Sequence, residues 1–257
     1  MQRYAVYYAP ADDHPLWQAG CQWPGRNPAD ALDLRDPPAA RREPWRYGFH
    51  ATLKPPFRLC ASLHEGQLHA ALSALAAAMP AFEMPRLQVT TLADFIALRP
   101  AEALAREHPL WRLADACVRE LDAFRAPPTA AELARRQARP LEPAAQARLQ
   151  QWGYPHVLEG WRFHMTLSDS LADEAERADL LAQAQQHFSV ALAVVPLRCD
   201  SISLFVESAP GVPLQLLRRY PLQSALRPAT ELPGRSRQRR SGRRGPSSRC
   251  APCRQTS

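Results

Sequence analysis

Lysine is almost missing from this chain of 257 residues, because Lys54 is the only one and every other Lys/Arg-type cation is arginine. Long apolar runs are missing too: none approaches the roughly 18 residues that span a bilayer. The opening residues Met1-Gln2-Arg3-Tyr4 lack the apolar core of a secretory signal peptide. We therefore expect a cytoplasmic protein with no membrane partner.

Cysteine usage gives no sign of a disulfide framework or of a metal centre. The cysteines from Cys21 to Cys199 are scattered, which is typical of free thiols in a reducing compartment. Cys250 and Cys253 have the spacing of a zinc knuckle, but no second ligand pair lies nearby. We expect no metal and no other cofactor.

The net charge of +7 is concentrated at the C-terminal end. From Arg227 onward the chain has nine arginines and one glutamate, a balance of +8, so residues 1–226 carry −1. A body of this charge is not an electrostatic nucleic-acid binder, and nucleic acid is a possible but not a favoured partner. Residues 227–257, rich in Arg, Ser, Gly and Pro, are expected to form a disordered tail.

One short sequence motif occurs twice, as Phe49-His50-Ala51-Thr52-Leu53 and as Phe163-His164-Met165-Thr166-Leu167. Each copy alternates apolar and polar residues, which is the period of a half-buried strand. The alternation places His50 with Thr52, and His164 with Thr166, on the polar face of their strands. A lone histidine on a strand is more often a surface residue than a catalyst, but a repeated His-x-Thr pair favours a functional site.

Two imidazoles without a cluster of carboxylate or thiolate ligands indicate acid–base chemistry. Near neutral pH one imidazole can be neutral while the other is charged, which is what opening a cyclic phosphodiester requires. His50 and His164 are therefore the candidate catalytic residues, with the acid and base roles left open. Thr52 and Thr166, with Lys54 if the strand extends that far, are candidates for binding the phosphate oxygens; a solvated strand end is the alternative for Lys54.

The order of predicted elements indicates an α+β fold. Each half contains a motif strand, at 46–53 and at 161–167, followed by a helix and then by strands. The first motif strand is expected to be either cut or bulged at Pro55-Pro56, and 190–196 is expected to be a strand. We expect a domain over 1–226 with lobes at about 1–124 and 153–226, separated by a helical insertion at about 125–152.

Four stretches carry a resemblance to a known family: Arg46–Phe57, Phe124-Arg-Ala-Pro127, Trp152-Gly-Tyr-Pro155 and Arg162–Leu167. They resemble the 2H phosphoesterase superfamily and, within it, the DUF1045-type family associated with carbon–phosphorus lyase genes and phosphonate use. The resemblance implies a two-lobed, pseudo-symmetric fold of antiparallel sheets flanked by helices around a central groove. It also implies metal-independent hydrolysis of a small cyclic phosphate, such as a ribose cyclic phosphate formed in phosphonate catabolism.

Two alternative functions remain open at this point. One is processing or ligation of RNA ends that carry a 2',3'-cyclic phosphate, in which the arginine-rich tail would grip RNA. The other is a non-catalytic accessory protein that binds a phosphorylated sugar. The substrate and the oligomeric state are not determined by the sequence.

Overall fold

The computed structural model describes residues 1–31, 35–137, 140–194 and 196–224. Within these ranges the chain forms seven α-helices and nine strands. The strands are β1 Arg3–Tyr8, β2 Ala51–Phe57, β3 Phe82–Glu83, β4 Leu87–Leu92, β5 Phe95–Pro100, β6 Met165–Thr166, β7 Arg198–Cys199, β8 Ser201–Glu207 and β9 Gln215–Pro221. The helices are α1 Pro15–Gln22, α2 Arg42–Tyr47, α3 Glu65–Ala78, α4 Pro109–Glu120, α5 Ala130–Arg136, α6 Pro143–Trp152 and α7 Glu174–Ala193.

The centre of the molecule is a seven-stranded antiparallel sheet in the order β4-β5-β6-β2-β1-β8-β9. Both halves of the chain supply strands to it, and the two motif strands β2 and β6 are direct neighbours. A separate two-stranded sheet pairs β3 with β7. The predicted α+β class with an antiparallel sheet is confirmed, and residues 1–225 form one compact unit. The predicted tail at 227–257 lies outside the described residues, and its disorder stays a prediction.

The two faces of the large sheet have different neighbours. On one face the apolar side chains of β1 and β2, such as Val6, Tyr8 and Leu53, join the main core under the long helices. There α4 packs on β2, α3 on β9, and α7 on β4 and α1. On the other face Tyr7 packs with Phe205 in a smaller apolar cluster. His50 and Thr52 are only partly buried and lie on this second face.

Three predicted element boundaries are wrong. Residues 46 and 47 end helix α2 and do not begin a strand. At Pro55-Pro56 the expected bulge is found and the strand is not cut, because β2 runs to Phe57 with a register shift against β1. Residues 190–193 continue helix α7. In the second motif only Met165–Thr166 forms strand pairs, although the predicted strand covered 161–167. The prolines are tolerated because neither residue is among the Cα partners in the β1–β2 register.

Candidate active site

The pairing of the two motif strands brings both His-x-Thr pairs together. Ala51 lies opposite Met165 in an antiparallel register. Continued by one residue on each side, this register places His50 across from Thr166 and Thr52 across from His164. Directly opposed residues in such a pair have Cβ atoms about 5 Å apart. The apolar members of each motif are buried, so the histidines and threonines share the opposite, open face.

His50 is held in one tautomer by the backbone. Its Nδ1 lies 2.9 Å from the carbonyl oxygen of Gly48, and because a carbonyl only accepts, Nδ1 carries the proton and donates. Nε2 then has a lone pair and lies 3.2 Å from Thr52 Oγ1, whose hydroxyl can donate to it. Tyr7 stacks on the imidazole, with ring centroids 3.7 Å apart.

Gly48 is required for this arrangement because its backbone has φ 76° and ψ 171°. Positive φ is rare for residues with a side chain. A Cβ at this position would also lie 2.9 Å from Pro28 Cγ, which is closer than van der Waals contact. The glycine therefore lets the chain turn from α2 into β2 with its carbonyl directed at His50.

His164 is held in the same way as His50. Its Nδ1 donates to the carbonyl oxygen of Arg162, two residues earlier, over 2.8 Å. The edge of its ring packs against Phe95, with centroids 5.9 Å apart. Both imidazoles therefore keep Nδ1 engaged with the backbone, and both have Nε2 as the atom available for proton transfer.

The two imidazoles differ in how strongly the protein resists their protonation. The pKa of His50 is lowered to about 4, mainly by burial and to a smaller extent by the charge of His164. Burial also lowers the pKa of His164, with a smaller contribution from Arg99. Because the charged form of a group is disfavoured away from water, the deeper imidazole is the one held neutral.

Both histidines and both threonines line a single cleft of about 460 Å³. One wall comes from β1 and α2, with Arg3, Tyr7, Glu43 and Tyr47, and another includes Phe95, Ser168 and Ser170. The insertion contributes Glu132 and Arg136, and Tyr154 follows directly after it. The cleft is thus larger than a cyclic phosphate alone would need, and it offers aromatic rings and both signs of charge.

Lys54 does not reach this cleft, which corrects its prediction as a phosphate ligand. Its ammonium is 2% exposed and donates to the carbonyl oxygen of Val118, over 3.1 Å, and to Asp122, over 3.3 Å. The cause is a bulge: Tyr7 pairs with Thr52 but Val6 pairs with Lys54, so one residue on β1 faces two on β2. The alternation is reset there, and Lys54 is turned away from the His50 face.

Several lining residues were not singled out by the sequence analysis. Tyr47 and Tyr154 lie within stretches that carried the family resemblance, and that membership was the available signal. Arg3 and Tyr7 belong to an ordinary strand, and Arg136 to a charged helix, so nothing in the local sequence marked them. His156 is exposed and does not line the cleft.

Within the described ranges, no group of three or more His, Cys, Asp or Glu side chains has the arrangement to hold a metal ion. In the same part of the chain, no helix has the length and apolar character needed to cross a membrane.

Residues 52–215 match a family model described as "Protein of unknown function (DUF1045)". The chain belongs to the DUF1045 family. This match confirms the recognition made from the motifs. It begins at Thr52, so it includes the second His-x-Thr pair and starts just after His50.

This DUF1045 protein also resembles two curated proteins that are both called "Ribose 1,5-bisphosphate phosphokinase PhnN". The one from Janthinobacterium sp. (strain Marseille) is 40% identical over 233 residues, which cover 86% of this chain and 51% of that protein. The one from Laribacter hongkongensis (strain HLHK9) is 37% identical over 229 residues, covering 84% of this chain and 51% of that protein. The DUF1045 protein therefore spans about half the length of these relatives.

Among solved structures, the DUF1045 protein is similar to E. coli LigT complexed with 3'-AMP. The two share 15% sequence identity with a TM-score of 0.40, and the alignment covers 86% of this chain and 98% of that chain. A crystal structure of a phosphoesterase gives a TM-score of 0.41 and 14% identity over the same shares of the two chains. Overlap at this level is too low to transfer a substrate or a mechanism.

Proposed function

We propose that this protein is a metal-independent phosphodiesterase that opens a small cyclic phosphate by acid–base catalysis with His50 and His164. The observation that carries the proposal is the pair of imidazoles on one cleft, each with Nδ1 bonded to a backbone carbonyl and Nε2 left for the substrate. A hydroxyl-bearing threonine lies two residues after each histidine. This is the set of groups that in-line opening of a phosphodiester ring needs.

The difference in burial supports an assignment of roles in the hydrolytic direction. His50, whose pKa is lowered to about 4, is neutral and takes a proton from water through Nε2. The water oxygen bonds to phosphorus while the ring P–O bond on the opposite side breaks. His164, protonated at Nε2, gives its proton to the departing alkoxide, and the product is a phosphate monoester. Exchange with solvent then resets both imidazoles.

Thr52 and Thr166 hold the non-bridging oxygens in this proposal. Each is across the strand pair from the histidine of the other motif, so each hydroxyl can donate to a phosphate oxygen between the two rings. Donors fixed where charge builds up stabilise the transition state without having to reorganise. The Thr52 hydroxyl, which lies 3.2 Å from His50 Nε2 before substrate binds, turns to the phosphate when the site is occupied.

The relatives' name favours a phosphorylated ribose as the substrate class. The kinase activity in that name is not proposed for this chain, because the phosphate-binding motif G-x-x-x-x-G-K-[ST] needs a lysine after glycine. Lys54, the only lysine, follows Leu53 and precedes Pro55. The resemblance to a phosphonate-associated family supports a small ribose cyclic phosphate as the substrate and a role in phosphonate catabolism.

The test is turnover of ribose cyclic phosphates and nucleoside 2',3'-cyclic phosphates by purified protein in excess EDTA. We expect a phosphate monoester as product, and we expect His50→Ala and His164→Ala each to lower kcat at least 100-fold. His156→Ala is the matched control, because this histidine is exposed and does not line the cleft. Unchanged activity in both active-site variants would refute the proposal.

The same measurements separate the alternative functions. Saturable binding of a phosphorylated sugar without product at any pH would identify an accessory binding protein. RNA end-processing predicts turnover of RNA that ends in a cyclic phosphate, with binding that weakens and loses salt dependence when residues 227–257 are deleted.

A further inference from the structure

The cleft has guanidinium groups in addition to the proposed catalytic centre. Arg3 at the start of β1 and Arg136 at the end of α5 both line it. The two histidines and two threonines account for a cyclic phosphate, and neither arginine belongs to that set.

Arg3 is fixed by a buried carboxylate that it shares. Its Nε donates to Glu207, which is 0% exposed and also accepts a hydrogen bond from Arg46 over 3.1 Å. Two guanidinium groups therefore share one carboxylate, and this corner of the cleft keeps a net positive charge. The ion pair fixes Arg3 in orientation, so that little side-chain entropy is lost when it binds a ligand.

Arg136 is held on a helix that is itself tied to the sheet. Thr129 and Glu132 form a capping box at the start of α5, and Glu132 also accepts from Arg58 over 3.3 Å. Arg136 donates to the carbonyl oxygen of Gly153, and its guanidinium lies 5.6 Å from the centre of the Tyr154 ring. These contacts position a cation on the wall that the insertion adds to the cleft.

The two arginines are connected through Arg58 and Glu132. In the β1–β2 register Tyr4 lies opposite Phe57, and the next step along both strands sets Arg3 opposite Arg58. Arg58 donates to Glu132, which lies one turn before Arg136 on α5. Because β1 and α5 are joined in this way, the two guanidinium groups belong to the same part of the cleft.

We propose that the end of the cleft formed by Arg3 and Arg136 is a subsite for a second phosphate group, a phosphate monoester on the same small molecule that presents its cyclic phosphate to the histidines. This inference rests on the proposed function for the position of the cyclic phosphate. Arginine is suited to the role because its planar fork binds phosphate oxygens in a bidentate manner. The preferred substrate is thus a doubly phosphorylated sugar or nucleoside.

The test compares two probes that differ by one group: uridine 2',3'-cyclic phosphate, and the same compound with a 5'-phosphate. We expect the 5'-phosphate to raise kcat/KM about tenfold or more, as one charge-assisted interaction would. In Arg136→Gln and in Arg3→Gln this preference should fall to about twofold or less. Arg112→Gln, an exposed arginine on α4 outside the cleft, is the matched control and should keep the preference.

The outcomes distinguish this subsite from the proposed function. Turnover of both probes with equal kcat/KM by the wild-type protein refutes the subsite and leaves the phosphodiesterase intact. If neither probe is turned over, the proposed phosphodiesterase activity is refuted. The subsite is then tested by the Kd values of the two probes, measured by calorimetry. A Kd ratio near one then refutes it, and a ratio above tenfold that Arg136→Gln removes supports it. Melting temperatures check that each variant is folded.

Discussion

Replacing Lys54 with methionine separates a structural role from the phosphate-binding role that its place after the His-x-Thr motif suggests. Methionine keeps an apolar stem of similar length, and it removes the ammonium. In the structure that ammonium donates to Val118 O and to Asp122, and it is almost fully buried. The change therefore removes two hydrogen bonds inside the protein and none in the cleft.

The expected loss of stability follows from what Lys54 leaves behind. The Val118 carbonyl loses a donor in a buried place, which costs about 1–3 kcal/mol. Asp122 keeps Arg125, which donates to it from two nitrogens over 2.8 and 3.0 Å, and its side chain is 24% exposed. The total should therefore stay below the 3–5 kcal/mol typical of a broken buried pair, at about 2–3 kcal/mol. At roughly 2–4 °C per kcal/mol for a domain of this size, Tm should fall by about 4–12 °C.

Urea and thermal unfolding of Lys54→Met measure this loss, and a cycle with Asp122→Asn measures the coupling between the two side chains. Arg112→Met, on an exposed surface, should change stability by less than about 0.5 kcal/mol. KM for the cyclic phosphate should change less than twofold in Lys54→Met. A variant of wild-type stability with KM raised tenfold would refute the structural assignment and restore Lys54 as a phosphate ligand.

Three further predictions concern the catalytic face. A plot of kcat/KM against pH should be bell-shaped, with its optimum below about pH 6.5. His50 must be deprotonated, which requires a pH above about 4, and His164 must keep its proton, which requires a pH below its lowered pKa. An optimum above pH 8 would contradict the assigned roles. Gly48→Ala should lower kcat at least tenfold, measured beside a melting curve, because strain at positive φ moves the carbonyl that holds His50. Trp161→Phe should cost about 1–2 kcal/mol in urea unfolding, because the indole donates to Thr52 O over 2.7 Å; no loss would show that this bond is dispensable.

The local sequence predicts which face of each motif strand is buried, but it does not predict which other residues surround the site. Alternation predicted which side of each strand is buried, because a side-chain period of two depends only on extended backbone. It failed at Lys54, since a bulge resets that period and a bulge depends on the partner strand. Arg3 and Arg136 are in the cleft only because β1 and α5 are assembled around β2, which no local pattern reveals.

The helix that precedes the first motif shows the same limit and links the two halves of the site. The sequence Ser168-Asp169-Ser170 has the composition of a helix start, yet α7 is capped by Asp173. Asp169 instead accepts hydrogen bonds from the amides of Arg42 and Glu43, over 3.2 and 2.6 Å, and so caps α2. The Asp169 carboxylate, which follows the second motif, thus accepts from the N-terminal amides of α2. At the other end of the same helix, the Gly48 carbonyl orients His50. Through Asp169 and Gly48 the two ends of α2 connect the chain that follows His164 with the carbonyl that orients His50.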